Sequence, residues 1–400
     1  MVLLATDIKD KVLGAVKIQL LERREEIITA NARDLAAWQG RDQAMYDRLV
    51  VDDKKVSLMI KALEDIIADS DPVGSILYTH THPNGLKVEN RTAPFGTVMI
   101  IYESRPDVTI EAAMVAFKSN NKILLKGGKE AVHSNRILVD CWHQALEQND
   151  LSKDWVQLLE LQRQETQAFL KNPDRPLDLI VPRGGEGLIA FVKAHAKCPV
   201  LISGRGNNFL YVHDDADWDK TISVIVNAKT DKISACNALD KVLINKSMSQ
   251  LDTRLHQLVS VLRNANVEIL IDAEVSEAMG SRDQQGQDLS SEWSEEYLAM
   301  KIAIGLVEDR QAAVALVNQH SGGHSAAIMT SSEEEAREFM DSVDAAAVYH
   351  NASTRFTDGG QFGLGAELAI STDKLHHRGP LGLHQLVTNK WYVFGNGQIR

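Results

Sequence analysis

A chain of 400 residues, 44% hydrophobic and 24% charged, with 25 glycines and 9 prolines, has the make-up of an ordinary globular protein of two to three domains and excludes a disordered, collagen-like or low-complexity scaffold. Its 43 basic and 55 acidic side chains leave a net charge of −12, and no basic patch is dense enough to reverse that sign, so nucleic acid is excluded as a partner. Cys141, Cys198 and Cys236 lack CxxC or CxxH spacing, no stretch reaches the ~20 apolar residues of a membrane span, and Asp7 cuts short the N-terminal apolar run, so a cytoplasmic protein with neither disulfides nor a membrane partner is expected.

Apolar side chains recur every three or four positions in Val12–Leu21 and again in Leu58–Ile67, which predicts N-terminal helices. Asn84-Gly85 between extended runs predicts a hairpin within Thr79–Pro94. From Gly96 strands and helices alternate: strand Thr97–Tyr102, helix Pro106–Asn120, strand Lys122–Lys126, helix Glu130–Gln148, strand Leu177–Val181, helix Glu186–Lys197, then extended Val200–Ile202 and Leu210–Val212. After a helix at Trp218–Thr230 a second alternation runs from Lys241–Asn245 to Ala346–Tyr349, and the Asp-rich stretch His213–Asp219 is the expected boundary. Strands this apolar, each followed by a helix, predict an α/β protein with two doubly wound parallel sheets. The apolar strand Trp391–Phe394 near the chain's end needs a partner.

Cys236 stands in a polar loop, Lys229–Asp240, that opens the second alternation. A thiolate is the reactive form of cysteine, and Lys232 nearby would favour it; an unreactive loop cysteine is the competing reading. Cys141, at helical spacing with Ile137 and Leu138, and Cys198, before a strand, read as packing residues. Lys126-Gly127-Gly128-Lys129 and Pro182-Arg183-Gly184-Gly185 each place a glycine pair between a buried strand and a helix start, where backbone amides and the helix dipole attract anions. Either alone reads as a tight turn, but two on one sheet edge point to a dinucleotide. The histidines form no metal set, and no metal is expected.

These stretches resemble the gamma-glutamyl phosphate reductase family of the aldehyde dehydrogenase superfamily over essentially the whole chain. The resemblance rests on Tyr102–Thr109 (YESRPDVT), Leu124–Ala131 (LLKGGKEA), Asp178–Gly185 (DLIVPRGG), Ala235–Ala238 (ACNA), Asn351–Gly360 (NASTRFTDGG), Phe362–Glu367 and Arg378–Leu383. It implies an aldehyde dehydrogenase-like fold with an NADPH-binding domain at 1–215 and a return segment at about 366–389. The catalytic domain would occupy 216–365, and a small β flap made of 79–94 and 390–400 would join across subunits into a homodimer or larger assembly. It further implies reduction of L-glutamyl 5-phosphate to L-glutamate 5-semialdehyde through a thioester on Cys236, with the Cys236 amide, Ser104 and Asn237 completing the catalytic set.

By the same resemblance Lys126, Gly127, Gly128, Lys129, Pro182, Arg183, Gly184 and Gly185 hold NADPH, with Lys129 placed to meet a 2′-phosphate. Glu296, or its neighbour Glu295, would hold the nicotinamide ribose. Arg105 and Arg355 are the first candidates for the substrate's phosphate or α-carboxylate, ahead of Arg183, Arg378 and Lys232; Ser353 and Thr354 sit in what resembles an anchoring loop, and a glutamate kinase is a candidate partner. Hydrolytic superfamily members carry a carboxylate base where this chain has no Asp or Glu from Pro199 to Val212. Asn207-Asn208-Phe209 in that stretch stands where a Cys-His pair is common, and no role is assigned to it. The competing functions are an NAD(P)-dependent dehydrogenase oxidising a semialdehyde without phosphate, and a silent cofactor-binding assembly protein.

Overall fold

The computed structural model describes residues 2–40, 43–280 and 286–400. The chain forms two compact units: the first holds Met1–Ser203, Gly363–Ala369 and Pro380–Arg400, the second Gly204–Phe362 and Ile370–Gly379.

In the first unit the hairpin strands β1 (Ile76–Thr81) and β2 (Lys87–Pro94) precede a parallel sheet of β3 (Thr97–Ile101), β4 (Lys122–Lys126), β5 (Val156–Leu158) and β6 (Leu179–Pro182), in the order β5-β4-β3-β6. The two-residue strand period sorts its side chains. Val98, Ile100, Ile123 and Leu125 enter one core with the helices Asp107–Lys118 and Val132–Glu147 and the N-terminal helices, while Met99, Ile101 and Leu124 enter another with Leu170 and Val192 from the helices on the opposite face. The helix Asp53–Ala68 shows how the N-terminal layer docks. Val56, Met59, Ile60, Leu63 and Ile66 lie on one buried stripe, and the Asp52 side chain caps its start by accepting from the Lys55 amide.

The second unit holds six parallel strands, β7 (Asn208–Val212), β8 (Leu239–Asn245), β9 (Glu268–Ile271), β10 (Lys301–Val307), β11 (Ser325–Met329) and β12 (Ala347–His350), in the order β12-β11-β7-β8-β10-β9. Leu210 and Val212 pack with the helices Trp218–Thr230 and Leu251–Asn264, whereas Phe209 and Tyr211 pack with Arg310–His320 and Glu333–Ser342. β7 and β8 are buried at every residue, as parallel strands covered on both faces must be. Two expectations change here. Leu210–Val212 was expected to close the first sheet, but it lies in the middle of the second, so the chain enters the second unit at Gly204, ahead of the Asp-rich stretch. Val200–Ile202 is no strand; it contributes a single bridge from Val200 to Ile180. Aliphatic content alone marked both stretches, and it cannot say which sheet supplies the partner.

Two short strands, β13 (Ala369–Ser371) and β14 (Gly379–Leu381), pair with each other. The last strand, β15 (Val387–Phe394), runs antiparallel to β2 with Trp391 opposite Asn90 and Phe394 opposite Lys87, completing the sheet β1-β2-β15. The terminal strand expected to join a neighbouring subunit therefore pairs within its own chain. Its outer aromatics are braced by Arg91, whose guanidinium lies 5.0 Å from the Tyr392 ring centre and 5.8 Å from that of Phe394, and Arg91 also pairs with Glu89.

Candidate active site

Parallel pairing brings three loops of the first unit to one sheet edge, because Ile101 at the end of β3 lies opposite Lys126 of β4 and Pro182 of β6. Past these residues come Ser104-Arg105, Gly127-Gly128-Lys129 and Arg183-Gly184-Gly185, a crevice at strand C-termini of the sort that holds ligands in open α/β sheets. Gly127 cannot be replaced without disturbance: a Cβ there would run into the Asn135 side chain and the Tyr102 ring. That wall is itself fixed, since the Tyr102 and Thr109 hydroxyls lie 2.7 Å apart and Thr109 donates to Asn135 Oδ1 at 2.9 Å. Gly128 leads into the turn Lys129–Ala131 and the helix Val132–Glu147, and Gly185 stands at the start of the helix Glu186–His195, so two helix N-termini open on this edge. The crowding around Gly127 keeps any side chain off this turn, and the two open helix starts suit the pyrophosphate of a dinucleotide.

The side chains of this edge are placed as follows. Lys126 donates to the Gly127 carbonyl at 2.7 Å, and burial pulls its ammonium below the usual lysine range against the attraction of Glu130. Lys129 is exposed, and Pro182 is buried at the end of β6. Ser104 is buried and its hydroxyl donates to Glu130 Oε1 at 2.7 Å, so the proton expected to meet an oxyanion is spent on a carboxylate. Arg105 stands 3.8 Å from Asp107, which also faces Lys55 at 3.9 Å. On the same helix, burial and Asp107 push the Glu111 carboxyl up, with Arg105 and Arg183 pulling it back.

In the second unit Cys236 is half-buried, in the loop that precedes β8. Gly206 lies directly against it: a Cβ at Gly206 would overlap the Cys236 backbone. Asn237, expected in the catalytic set, is buried and ties the cysteine loop to the anchoring loop. Its amide donates to the carbonyls of Arg355 and Thr357, at 3.1 and 2.8 Å, and its own carbonyl accepts from Thr354 at 2.8 Å. Ser353 caps the turn Thr354–Phe356 by accepting from the Arg355 amide. The Arg355 guanidinium, expected to hold an anion, is paired with Asp231 at 3.0 Å, and Arg378 is held by Asp344 at 2.6 Å. Lys232 is exposed.

Glu296 is half-buried and Glu295 exposed, in a segment held by a cluster that periodicity did not reveal. The Tyr297 ring carries Lys241 Nζ at 3.6 Å, Lys301 at 4.8 Å and Lys229 at 5.9 Å from its centre. Lys229 pairs with Asp240 at 2.8 Å, both fully buried. Burial, with Lys229 and Lys301 against Asp240 and Glu292, pushes the Lys241 ammonium down to about 7. The signal was there: Asp240 and Lys241 are charges inside a strand otherwise apolar from Leu239 to Ile244. Among the described residues His213, Asp214 and Asp215 cluster as metal ligands do, but Asp215 is taken by Thr330 at 2.7 Å and His213.

The match of residues 9–282 and 287–366 to the aldehyde dehydrogenase family model covers most of the chain. A gamma-glutamyl phosphate reductase from Clostridium beijerinckii is 40% identical over 99% of this chain and 95% of its own length. The chain belongs to the gamma-glutamyl phosphate reductase family. The crystal structure of the family's Thermotoga maritima protein superposes with a TM-score of 0.94 at 39% identity, covering 99% of this chain and 95% of that one. Beyond the family, a glyceraldehyde-3-phosphate dehydrogenase from Methanocaldococcus jannaschii complexed with NADP shares the fold, with a TM-score of 0.68 at 15% identity over 98% of this chain and 90% of that one. The expected α/β fold of aldehyde dehydrogenase type, with its parallel doubly wound sheets, holds.

Proposed function

We propose that this protein reduces L-glutamyl 5-phosphate to L-glutamate 5-semialdehyde and inorganic phosphate with NADPH, the second step of proline biosynthesis, in the cytoplasm. The observation that carries this reading is the identity of about 40% across nearly the full length of relatives named for that reaction. The Cys236 thiolate attacks the acyl carbon; a C–S bond forms, the C–O bond to phosphate breaks, and phosphate leaves with its electron pair. Splitting the reaction this way replaces one hard step by two easier ones. NADPH, when bound, supplies the hydride that converts the thioester to the aldehyde, and Cys236 then departs as thiolate.

The site chemistry supports reduction over hydrolysis. Where a hydrolytic enzyme needs a base to activate water, the chain carries no acid from Pro199 to Val212, and the side chain against the Cys236 backbone is the amide of Asn208. Lys126, Gly127, Gly128, Lys129, Pro182, Arg183, Gly184 and Gly185 are the proposed cofactor ligands, and Glu296 is the proposed ligand of the nicotinamide ribose. With Arg355 engaged by Asp231 and Arg105 only 3.8 Å from Asp107, substrate would have to draw each arginine from its carboxylate, so both remain the proposed anion ligands. Ser353 and Thr354 hold the shape of the anchoring loop, and Asn237 joins that loop to the nucleophile.

The flap supports a homo-oligomer. β1 is exposed along its whole length, and Leu77, Tyr78, Trp391 and Val393 are each more than half exposed, an apolar edge that a second copy would cover. The function is tested by following NADPH oxidation with L-glutamyl 5-phosphate generated in place by a glutamate kinase and ATP. Consumption that requires the kinase, ATP and glutamate together is expected; no consumption with all three present contradicts the proposal.

A further inference from the structure

Two neighbouring asparagines at the start of β7 grip different halves of the second unit's chemistry. Asn208 is fully buried, and its Nδ2 lies 2.7 Å from the Gly206 carbonyl, 2.8 Å from that of Cys236 and 2.6 Å from that of Ala238. Three carbonyl oxygens around one atom fix it as the donating nitrogen, which settles the orientation of the amide. Asn207, equally buried, directs its Nδ2 to the carbonyls of Trp293 at 2.6 Å and His320 at 2.8 Å. Trp293 begins the stretch that ends at Glu296. That stretch is held twice more, by Lys241 Nζ donating to the Glu295 carbonyl at 2.7 Å and by Asp240 Oδ2 accepting from the Tyr297 amide at 2.9 Å.

We propose that Asn208 is the positioning residue of the Cys236 nucleophile and that Asn207, with Asp240 and Lys241, is the positioning residue of Glu296. The inference rests on the reading above that Cys236 attacks and Glu296 holds the nicotinamide ribose. Gly206 and Asn208 both confine the Cys236 backbone at its carbonyl, one by leaving no room and one by hydrogen bonding, so the thiolate's place relative to the acyl carbon is set at its main chain. Small errors there are costly, since misplacing a reacting group by about 1 Å can cost about a hundredfold in rate. The Asn207 contacts act on the cofactor side and leave the cysteine loop alone.

The test uses Asn208→Asp and Asn207→Asp, isosteric changes that point an anion at carbonyl oxygens. Three quantities are read: kcat and KM for NADP in the phosphate-dependent oxidation of glutamate 5-semialdehyde, and the iodoacetamide alkylation rate of the Cys236 peptide by mass spectrometry. Asn208→Asp should lower kcat by about thirtyfold or more and change the alkylation rate by about tenfold, with KM for NADP within about threefold. Asn207→Asp should raise KM for NADP by about tenfold and leave alkylation within about threefold. Asn208→Ser, which keeps a hydroxyl donor and adds no charge, should show the same split at smaller size if the aspartate variant fails to fold. The same pattern of change in kcat, KM for NADP and alkylation in both variants, or no change in any of the three, overturns the assignment. Cys236→Ala and Glu296→Gln run alongside: turnover in the first, or an unchanged KM for NADP in the second, brings down the active-site reading and the assignment with it. A missing split with those two behaving as expected brings down the assignment alone.

Discussion

Cys236→Ser exchanges the proposed nucleophile for a hydroxyl of similar volume that is scarcely ionised at neutral pH, so turnover should vanish while NADPH binding, followed by its fluorescence, is nearly unchanged. Turnover within tenfold of the parent would remove Cys236 from the mechanism. Cys141 is the contrasting case. It is fully buried beside Arg23, and burial pushes its thiol up to about 12, so Cys141→Ser should lower the melting temperature, at a cost of about 1–3 kcal/mol for a polar hydroxyl in that core, and leave kcat alone. Lys129→Glu should weaken NADPH by about 1.5–3 kcal/mol and NADH far less, because only the 2′-phosphate distinguishes the two cofactors; unchanged NADPH affinity in titrations of both would show that Lys129 points elsewhere. At this scale sequence reading placed Cys236 in a loop and the glycine pairs in strand-to-helix turns, where the structure has them, since both are set by local residue type. It missed where side chains turn: Ser104 to Glu130, Asn237 to Arg355 and Thr357, Arg355 to Asp231. Those partners lie 26 to 124 positions away along the chain, beyond any local pattern.

Strands and helices were legible wherever apolar period and turn residues agreed, as in the helix Trp218–Thr230, which begins one residue after the capping Asp217. The sheet assignment of β7 was not, because pairing is decided by neighbours that no periodicity names. Buried polar residues at a strand's start carry their own consequence. His324, just before β11, is fully buried with Nδ1 2.8 Å from the Ser325 hydroxyl, which lies 2.7 Å from that of Thr357. Burial lowers its imidazole to about 4 from the usual 6.5. As pH falls below 6.5 the unfolded chain takes up a proton that the folded chain refuses until about 4, so this residue removes stability on acidification, by about 1.4 kcal/mol per pH unit between those limits. Urea midpoints at pH 7 and pH 5 should therefore lie closer together in His324→Gln than in the parent. An identical pH dependence in the two proteins would mean that His324 titrates normally.

On the scale of the whole molecule, the flap was legible as two unhoused pieces, Asn84-Gly85 between extended runs and an apolar strand at the chain's end. The sequence could not show that the pieces belong to each other, since three hundred residues lie between Asn90 and its partner Trp391. With β15 paired to β2, the two open edges of this sheet are β1 and β15, and the apolar side chains most exposed on them are Leu77, Tyr78, Trp391 and Val393. Introducing charge there should block pairing between copies without unfolding either parallel sheet. Leu77→Asp with Val393→Asp should lower the sedimentation coefficient to that of a smaller species at unchanged circular dichroism. An unchanged coefficient, or a parent already monomeric, would show that the flap has another use.

The proposed reaction holds an acyl group on Cys236, shielded from water. It is tested most directly by mixing the enzyme with glutamate 5-semialdehyde and NADP while phosphate is withheld. Oxidation should then stop after no more than one NADPH per Cys236, with a glutamyl adduct on the Cys236 peptide that phosphate discharges and that restores turnover. Continuous NADPH formation without phosphate, with no adduct on that peptide, would mean that water completes the reaction and would contradict the account.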